Sequence, residues 1–113
     1  MINITGIGCG PCHAAVPFLN TLKERFAKEG DFELLAIETR KGTSNALRYY
    51  VEENAINYPF LIGTDEIIKR YRTGGSTPVY LILDENRIVR KVITGYWKEK
   101  TDPAILNAIT ELL

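Results

Sequence analysis

Ile2-Asn3-Ile4-Thr5-Gly6-Ile7-Gly8-Cys9-Gly10-Pro11-Cys12-His13 changes character halfway along. Ile2, Ile4 and Ile7 with Thr5 are β-branched, the composition of a short strand. Gly6, Gly8 and Gly10 then mark a turn. From Pro11 to about Lys28 the apolar spacing becomes helical, with Val16, Leu19, Leu22 and Phe26 on one face. Pro11 suits the first helical turn, where a missing N–H does no harm. Pro17 falls inside the helix and predicts a kink, and Gly30 ends it. Cys9 and Cys12 therefore sit where a strand turns into a helix.

Further along, Phe32 to Thr39 is apolar and bounded by turn residues, a buried strand. Thr43 or Ser44 caps a helix running to about Asn54. Tyr58 to Ile62 reads as a short extended piece, and Thr64 caps a helix over Asp65 to Tyr71. Gly74-Gly75-Ser76 is a loop. Pro78 to Leu83 and Arg87 to Thr94 read as two strands joined by a hairpin at Asp84-Glu85-Asn86. Ile88, Val92 and Thr94 are expected on one face of the second strand, Val89 and Ile93 on the other. Asp102-Pro103 reads as a helix start, with Asp as cap and Pro in the first turn. Ile105, Ile109 and Leu112 give that helix its buried face. Lys98-Glu99-Lys100 reads as a solvated loop before it. This order places helices against a mixed sheet.

The 113 residues suffice for one domain, and two independent cores would be too small. Hydrophobic residues are 45% and charged residues 25%, as in an ordinary globular chain. Fourteen Lys and Arg balance fourteen Asp and Glu, which argues against a general nucleic-acid binder. No apolar run approaches the roughly 20 residues of a membrane span. A strand begins almost at Met1 without a basic leader, so we expect residues 1–113 to be a single domain cut from a longer chain.

The chain holds two cysteines and one histidine, too few for a zinc site of Cys and His alone. A disulfide across two residues contributes little loop-closure stabilisation, so the pair points to chemistry. A first cysteine at a helix N-terminus meets unpaired N–H groups and the positive end of the macrodipole. Its thiolate is favoured and becomes a nucleophile near neutral pH. Cys12, one turn on, is placed to attack the resulting mixed disulfide. Gly10 and Pro11 keep the turn tight and leave Cys9 open to a partner.

Cys9-Gly10-Pro11-Cys12 at such a junction resembles the active site of the thioredoxin superfamily. Pro17 matches that family's kinking proline, and Thr77-Pro78 before a strand resembles its cis-proline loop. The insert from Arg40 to Ile62, the run Ser76 to Asp84 and Gly95 resemble the TlpA/ResA-like branch. The resemblance runs from Ile2 onward and lacks the strand and helix that often precede the first strand. It implies a thioredoxin-like α/β fold with a central mixed sheet flanked by helices. It also implies a thiol-disulfide oxidoreductase reducing protein disulfides through a Cys9/Cys12 cycle, with no cofactor and no metal. Gly-Pro between the cysteines resembles the more reducing members. Implied partners are a disulfide-containing protein and an upstream thiol electron donor, with no nucleic acid. The domain would be a monomer in a bacterial envelope or periplasm, held to a membrane only through an anchor outside this chain.

Three positions depart from the family pattern. Gly8 replaces the aromatic residue before the first cysteine. Asn3 replaces the buried strand acid of thioredoxins, although Asn is common there in the TlpA/ResA-like branch. Ala15 replaces a Glu common in that branch. The proton acceptor for Cys12 is therefore open among water, His13 and Glu38. If Thr77-Pro78 lies beside Cys9, as the resemblance implies, the strand after it runs opposite to the first, and the hairpin returns Gly95, Tyr96 and Trp97 to the edge that carries Cys9. There Trp97 or Tyr96 either walls a substrate groove or, in the case of Trp97, caps the core under the last helix.

Three other readings compete. Cys9-Gly10-Pro11-Cys12-His13 is literally a c-type haem attachment signature, but no second His and no Met beyond Met1 is present for the other axial position. A purely structural disulfide fails on loop length. A redox-inactive thioredoxin-like binding module would not need both cysteines and Thr77-Pro78. Gly6, Gly8 and Gly10 do not form a phosphate loop, because Pro11 falls where the third glycine should be.

Overall fold

The structure is a computed structural model that describes residues 1–71 and 75–113. Gly74 of the expected Gly74-Gly75-Ser76 loop lies outside the described residues. In chain order the elements are β1 (Ile2–Thr5), α1 (Gly10–Ala27), β2 (Leu35–Glu38), α2 (Ser44–Glu53), β3 (Phe60–Ile62), α3 (Asp65–Tyr71), β4 (Val79–Leu83), β5 (Val89–Thr94) and α4 (Lys98–Leu112). The sheet order is β3-β2-β1-β4-β5. β1, β2 and β3 are parallel, β4 runs against β1, and β5 runs against β4. The ends of β1, β2, β3 and β5 therefore meet the start of β4 at one edge of the sheet.

The period of two assigns the two faces. Phe60, Ala36, Asn3, Tyr80 and Ile93 pair in register as one row across all five strands. That row faces α1 and α4, which bury Val16, Leu19, Leu22, Phe26, Ile105 and Ile109 against it. The opposite face carries Ile4, Ile37, Val79 and Leu81, with Ile67 of α3 packed on them. Each fully buried Leu or Ile here contributes about 1.5–3 kcal/mol over its exposed state. Among the described residues, no helix is long and apolar enough to cross a membrane.

Thr43 and Thr64 act as expected, their hydroxyls accepting from Ala46 N and Ile67 N at 3.1 and 3.2 Å. Pro17 lies inside α1, where it leaves the His13 carbonyl without its usual partner. Four starts differ from the sequence reading, the simplest being β3, which begins at Phe60 rather than Tyr58. β2 begins only at Leu35; Phe32 and Leu34 enter the core without strand pairing. β5 begins at Val89, because Arg87 turns through a positive φ of 64° and Asp84 ties the turn by accepting from Asn86 N and Ile88 N. α4 begins at Lys98 rather than Asp102, and Lys98-Glu99-Lys100 is its first turn, not a loop. The Trp97 carbonyl accepts from Lys100 N and Thr101 N, and Thr101 Oγ1 accepts from Trp97 N at 3.0 Å. Asp102 is then no cap: it accepts from Tyr96 Oη at 2.7 Å and pairs with Lys98 Nζ at 3.1 Å.

Candidate active site

Cys9 is the N-cap of α1, in extended conformation with φ −92° and ψ 114°. Its sulfur is bonded to that of Cys12, with the Cα atoms 5.2 Å apart. Cys9 Sγ also accepts from Cys12 N at 3.3 Å, so the helix end donates an otherwise unpaired N–H to this sulfur. Gly10 and Pro11 are exposed around it. Cys9 itself is 6% exposed and Cys12 3%. In the disulfide form, Cys9 is thus less open than the tight turn led us to expect. Gly8 has φ +84°, a left-handed turn that a bulky side chain enters only with strain. The glycine is therefore tied to the path of this loop.

Sixty-eight positions further along the chain, a second loop closes on the same sulfur. The Thr77–Pro78 peptide is cis. Thr77 Oγ1 donates toward Cys9 Sγ at 3.5 Å, and Thr77 O stands 3.8 Å from it. Pro78 is fully buried, and its carbonyl accepts from Gly95 N at 2.8 Å. Two donors, Cys12 N–H and the Thr77 hydroxyl, thus converge on Cys9 Sγ. A thiolate formed at Cys9 on reduction would meet the same donors, and charge strengthens such hydrogen bonds. Chemically, the arrangement holds a disulfide at a helix start with two hydrogen-bond donors aimed at its first sulfur.

The redoxin family profile matches residues 1–109, nearly the whole chain. The chain belongs to the redoxin family. Among curated proteins, this redoxin is 30% identical over 95 residues to the thiol-disulfide oxidoreductase ResA of Geobacillus thermodenitrificans, an overlap of 83% of this chain and 53% of that one. The redoxin chain thus spans about half the length of such relatives. Its fold matches a Chlorobium tepidum structure assigned to the thiol:disulfide interchange protein DsbE, with TM-score 0.86 at 17% identity, covering 98% of this chain and 77% of that one. StoA from Bacillus subtilis matches with TM-score 0.79 at 14% identity, covering 96% and 79%. The fold is thioredoxin-like.

The structure brings Cys9, Gly10, Pro11, Cys12, Thr77, Pro78 and Gly95 of this redoxin together at one sheet edge. Trp97 does not cap the core: it is 65% exposed, and its ring lies over Gly95, where a β-carbon would come within 2.6 Å of it. Tyr96 packs against the core instead. Burial raises its phenol pKa above the usual value, and so does its hydrogen bond to Asp102. His13 is exposed and turned away, its Nε2 2.9 Å from Asn54 Oδ1 and its ring edge-on to Tyr50. Ala15 is fully buried in the core.

Glu38 is more than one of the candidate proton acceptors for Cys12. The structure gives it another set of contacts. Its carboxylate accepts from Ile7 N at 2.6 Å, Arg40 N at 2.5 Å and Gly42 N at 3.1 Å, with the residue 1% exposed. The signal was present in the sequence, because a Glu inside an apolar strand is rarely buried without dedicated partners.

Proposed function

We propose that this redoxin domain is a thiol-disulfide oxidoreductase that reduces protein disulfides through a Cys9/Cys12 dithiol-disulfide cycle. Supporting this reading above all is the convergence of Cys12 N–H and the Thr77 hydroxyl on Cys9 Sγ at the start of α1. The similarity to ResA points the same way. Cys9 thiolate attacks one sulfur of the substrate disulfide, forming a mixed disulfide and releasing the other sulfur as a thiolate. Cys12, deprotonated, then attacks Cys9 Sγ. The Cys9–Cys12 bond forms, the second substrate thiolate leaves, and both take up protons. Two electrons pass from the dithiol to the substrate. An upstream thiol donor of the envelope restores the dithiol.

In this reading the substrate strand lies along the Thr77 backbone, in the manner of strand addition. Gly95 shapes the far side, with Tyr96 packed behind it against the core, and the exposed ring of Trp97 supplies an apolar wall. The domain acts as a monomer outside the bacterial cytoplasm, tethered, where it is tethered, by a segment beyond these residues. The direct test is turnover of a disulfide-bonded protein with a dithiol donor. Wild type is expected to turn over and Cys9→Ser to be inactive. Turnover that survives Cys9→Ser overturns the reading, and alkylation of the reduced protein at neutral pH that labels Cys12 faster than Cys9 overturns the assignment of roles.

A further inference from the structure

Cys9 itself is held as the N-cap of α1, its carbonyl accepting from His13 N at 3.0 Å, but the loop that leads into it has few ties of its own. Gly6 and Gly8 flank Ile7, and glycine on both sides leaves the backbone wide freedom. The described contacts fix this loop at few points. Cys9 N donates to Gly6 O at a long 3.4 Å. The Arg40 stem lies across Gly6, so close that a β-carbon there would overlap Arg40 Cδ. The shortest polar tie is Ile7 N–H to the Glu38 carboxylate at 2.6 Å.

Glu38 is an unusual anchor for this purpose. A buried carboxylate is costly unless charge-assisted hydrogen bonds satisfy it. Here all three donors are backbone N–H groups, and among the described residues no Lys, Arg or His forms an ion pair with it. Two of the donors, Arg40 and Gly42, are local and close the turn that leaves β2. The third comes from 31 positions away. Closing a local turn does not require that third bond, and it lands two residues before Cys9. The same turn presses back on the loop through Ile7, whose Cδ1 approaches Gly42.

We infer that Glu38 is the positioning residue of the nucleophile loop: by holding Ile7 N–H to the Arg40–Gly42 turn, it sets Cys9 Sγ beneath the Thr77 hydroxyl. The inference deepens the proposed function and rests on Cys9 being the attacking thiol. A purely structural Glu38 would change stability and leave the Cys9–Thr77 contact as it is. A positioning Glu38 makes the effect of Thr77 on Cys9 depend on residue 38.

The experiment reads both ends of that chain in the intact reduced protein. Amide exchange should show Ile7 N–H losing protection at least tenfold in Glu38→Gln, with Ile4 N–H in β1 unchanged. The pKa of Cys9, taken from the pH dependence of alkylation, is measured for wild type, Thr77→Val, Glu38→Gln and the double variant. In the Glu38→Gln background, Thr77→Val should lose at least half of the shift it causes in wild type. If Glu38→Gln does not fold, Glu38→Asp keeps the charge but shortens the reach and serves in its place, with the same expected outcomes. Full additivity of the two substitutions, or unchanged protection at Ile7, overturns the inference. None of these readings uses substrate turnover, so a failure of the proposed reaction shows separately, in the wild-type assay.

Discussion

Replacing Thr77 with valine removes one hydroxyl and keeps the shape. The hydroxyl stands 3.5 Å from Cys9 Sγ. A hydrogen bond to a charged group contributes about 1.5–3 kcal/mol when short and dry, so this longer, partly solvated contact to a thiolate should be worth about 1 kcal/mol. One pKa unit corresponds to about 1.36 kcal/mol, so the Cys9 pKa should rise by roughly 0.7 unit in Thr77→Val. The direction follows from the state stabilised: the hydroxyl favours the thiolate, and its loss favours the thiol. Above the Cys9 pKa the reduced form loses the same energy, so the reduction potential should fall by roughly 20 mV. The assay is the alkylation rate of the reduced protein against pH, with thiolate absorbance as a second reading. Thr77→Ser keeps the hydroxyl and should titrate like wild type. An unchanged or lowered pKa in Thr77→Val, or a serine variant that behaves like valine, refutes the reasoning.

Trp97→Ala should leave the melting temperature nearly unchanged, because the ring is largely exposed and surface substitutions usually stay within about 0.5 kcal/mol. It should raise KM for protein disulfides several-fold while leaving a small disulfide unaffected; a large loss of stability with normal turnover rejects the groove role. Tyr80→Phe removes a buried hydroxyl that no described group hydrogen-bonds, so thermal denaturation should show a gain of about 1 kcal/mol, and a loss contradicts this. Asp84 is held below the usual carboxylate range, first by the Ile88 N–H and then by Arg90 and Asn86. Its contribution is present above the unfolded carboxylate pKa and lost as pH falls through the lower folded value. Asp84→Asn should therefore flatten the acid limb of melting temperature against pH, and an unaltered limb counts against it. Leu19→Ala empties a fully buried site under α1 and should cost about 2–5 kcal/mol in denaturant unfolding; a change below about 1 kcal/mol would mean the core lies elsewhere.

Legibility in the sequence followed the range of each interaction. The strand-to-helix junction was readable because Gly, Pro and the cysteines act over a few residues. Thr43 and Thr64 were readable as caps for the same reason. Asp102-Pro103 misled because it has the form of a cap, while the real helix start uses the Trp97 carbonyl and the Thr101 hydroxyl, neither a strong local signal. The resemblance of Thr77-Pro78 to a cis-proline loop set the start of β4 at the edge of Cys9, and the hairpin then returned Gly95 and Trp97 to that edge. The contact of Glu38 with Ile7 was hidden, because it depends on the parallel register Thr5↔Glu38, which local pattern does not encode. Trp97 lay open between two readings until the turn at Gly95 placed its ring on the outside.

The span of chain between Cys9 and Thr77 also carries a schedule. Both cysteines leave the ribosome well before β4 does, and at about 5–20 residues per second the 68-residue gap lasts roughly 3–14 s. Throughout that interval β1 has no β4 beside it, and the Thr77 hydroxyl has not arrived. A nascent cysteine pair in that condition lacks one of the two donors that, under the proposed function, favour the Cys9 thiolate, and it should react closer to an ordinary thiol of pKa about 8.5. Under the proposed function, the last strand to dock on β1 also brings the second donor to Cys9, so thiolate reactivity there reaches its full value only once β4 is in place.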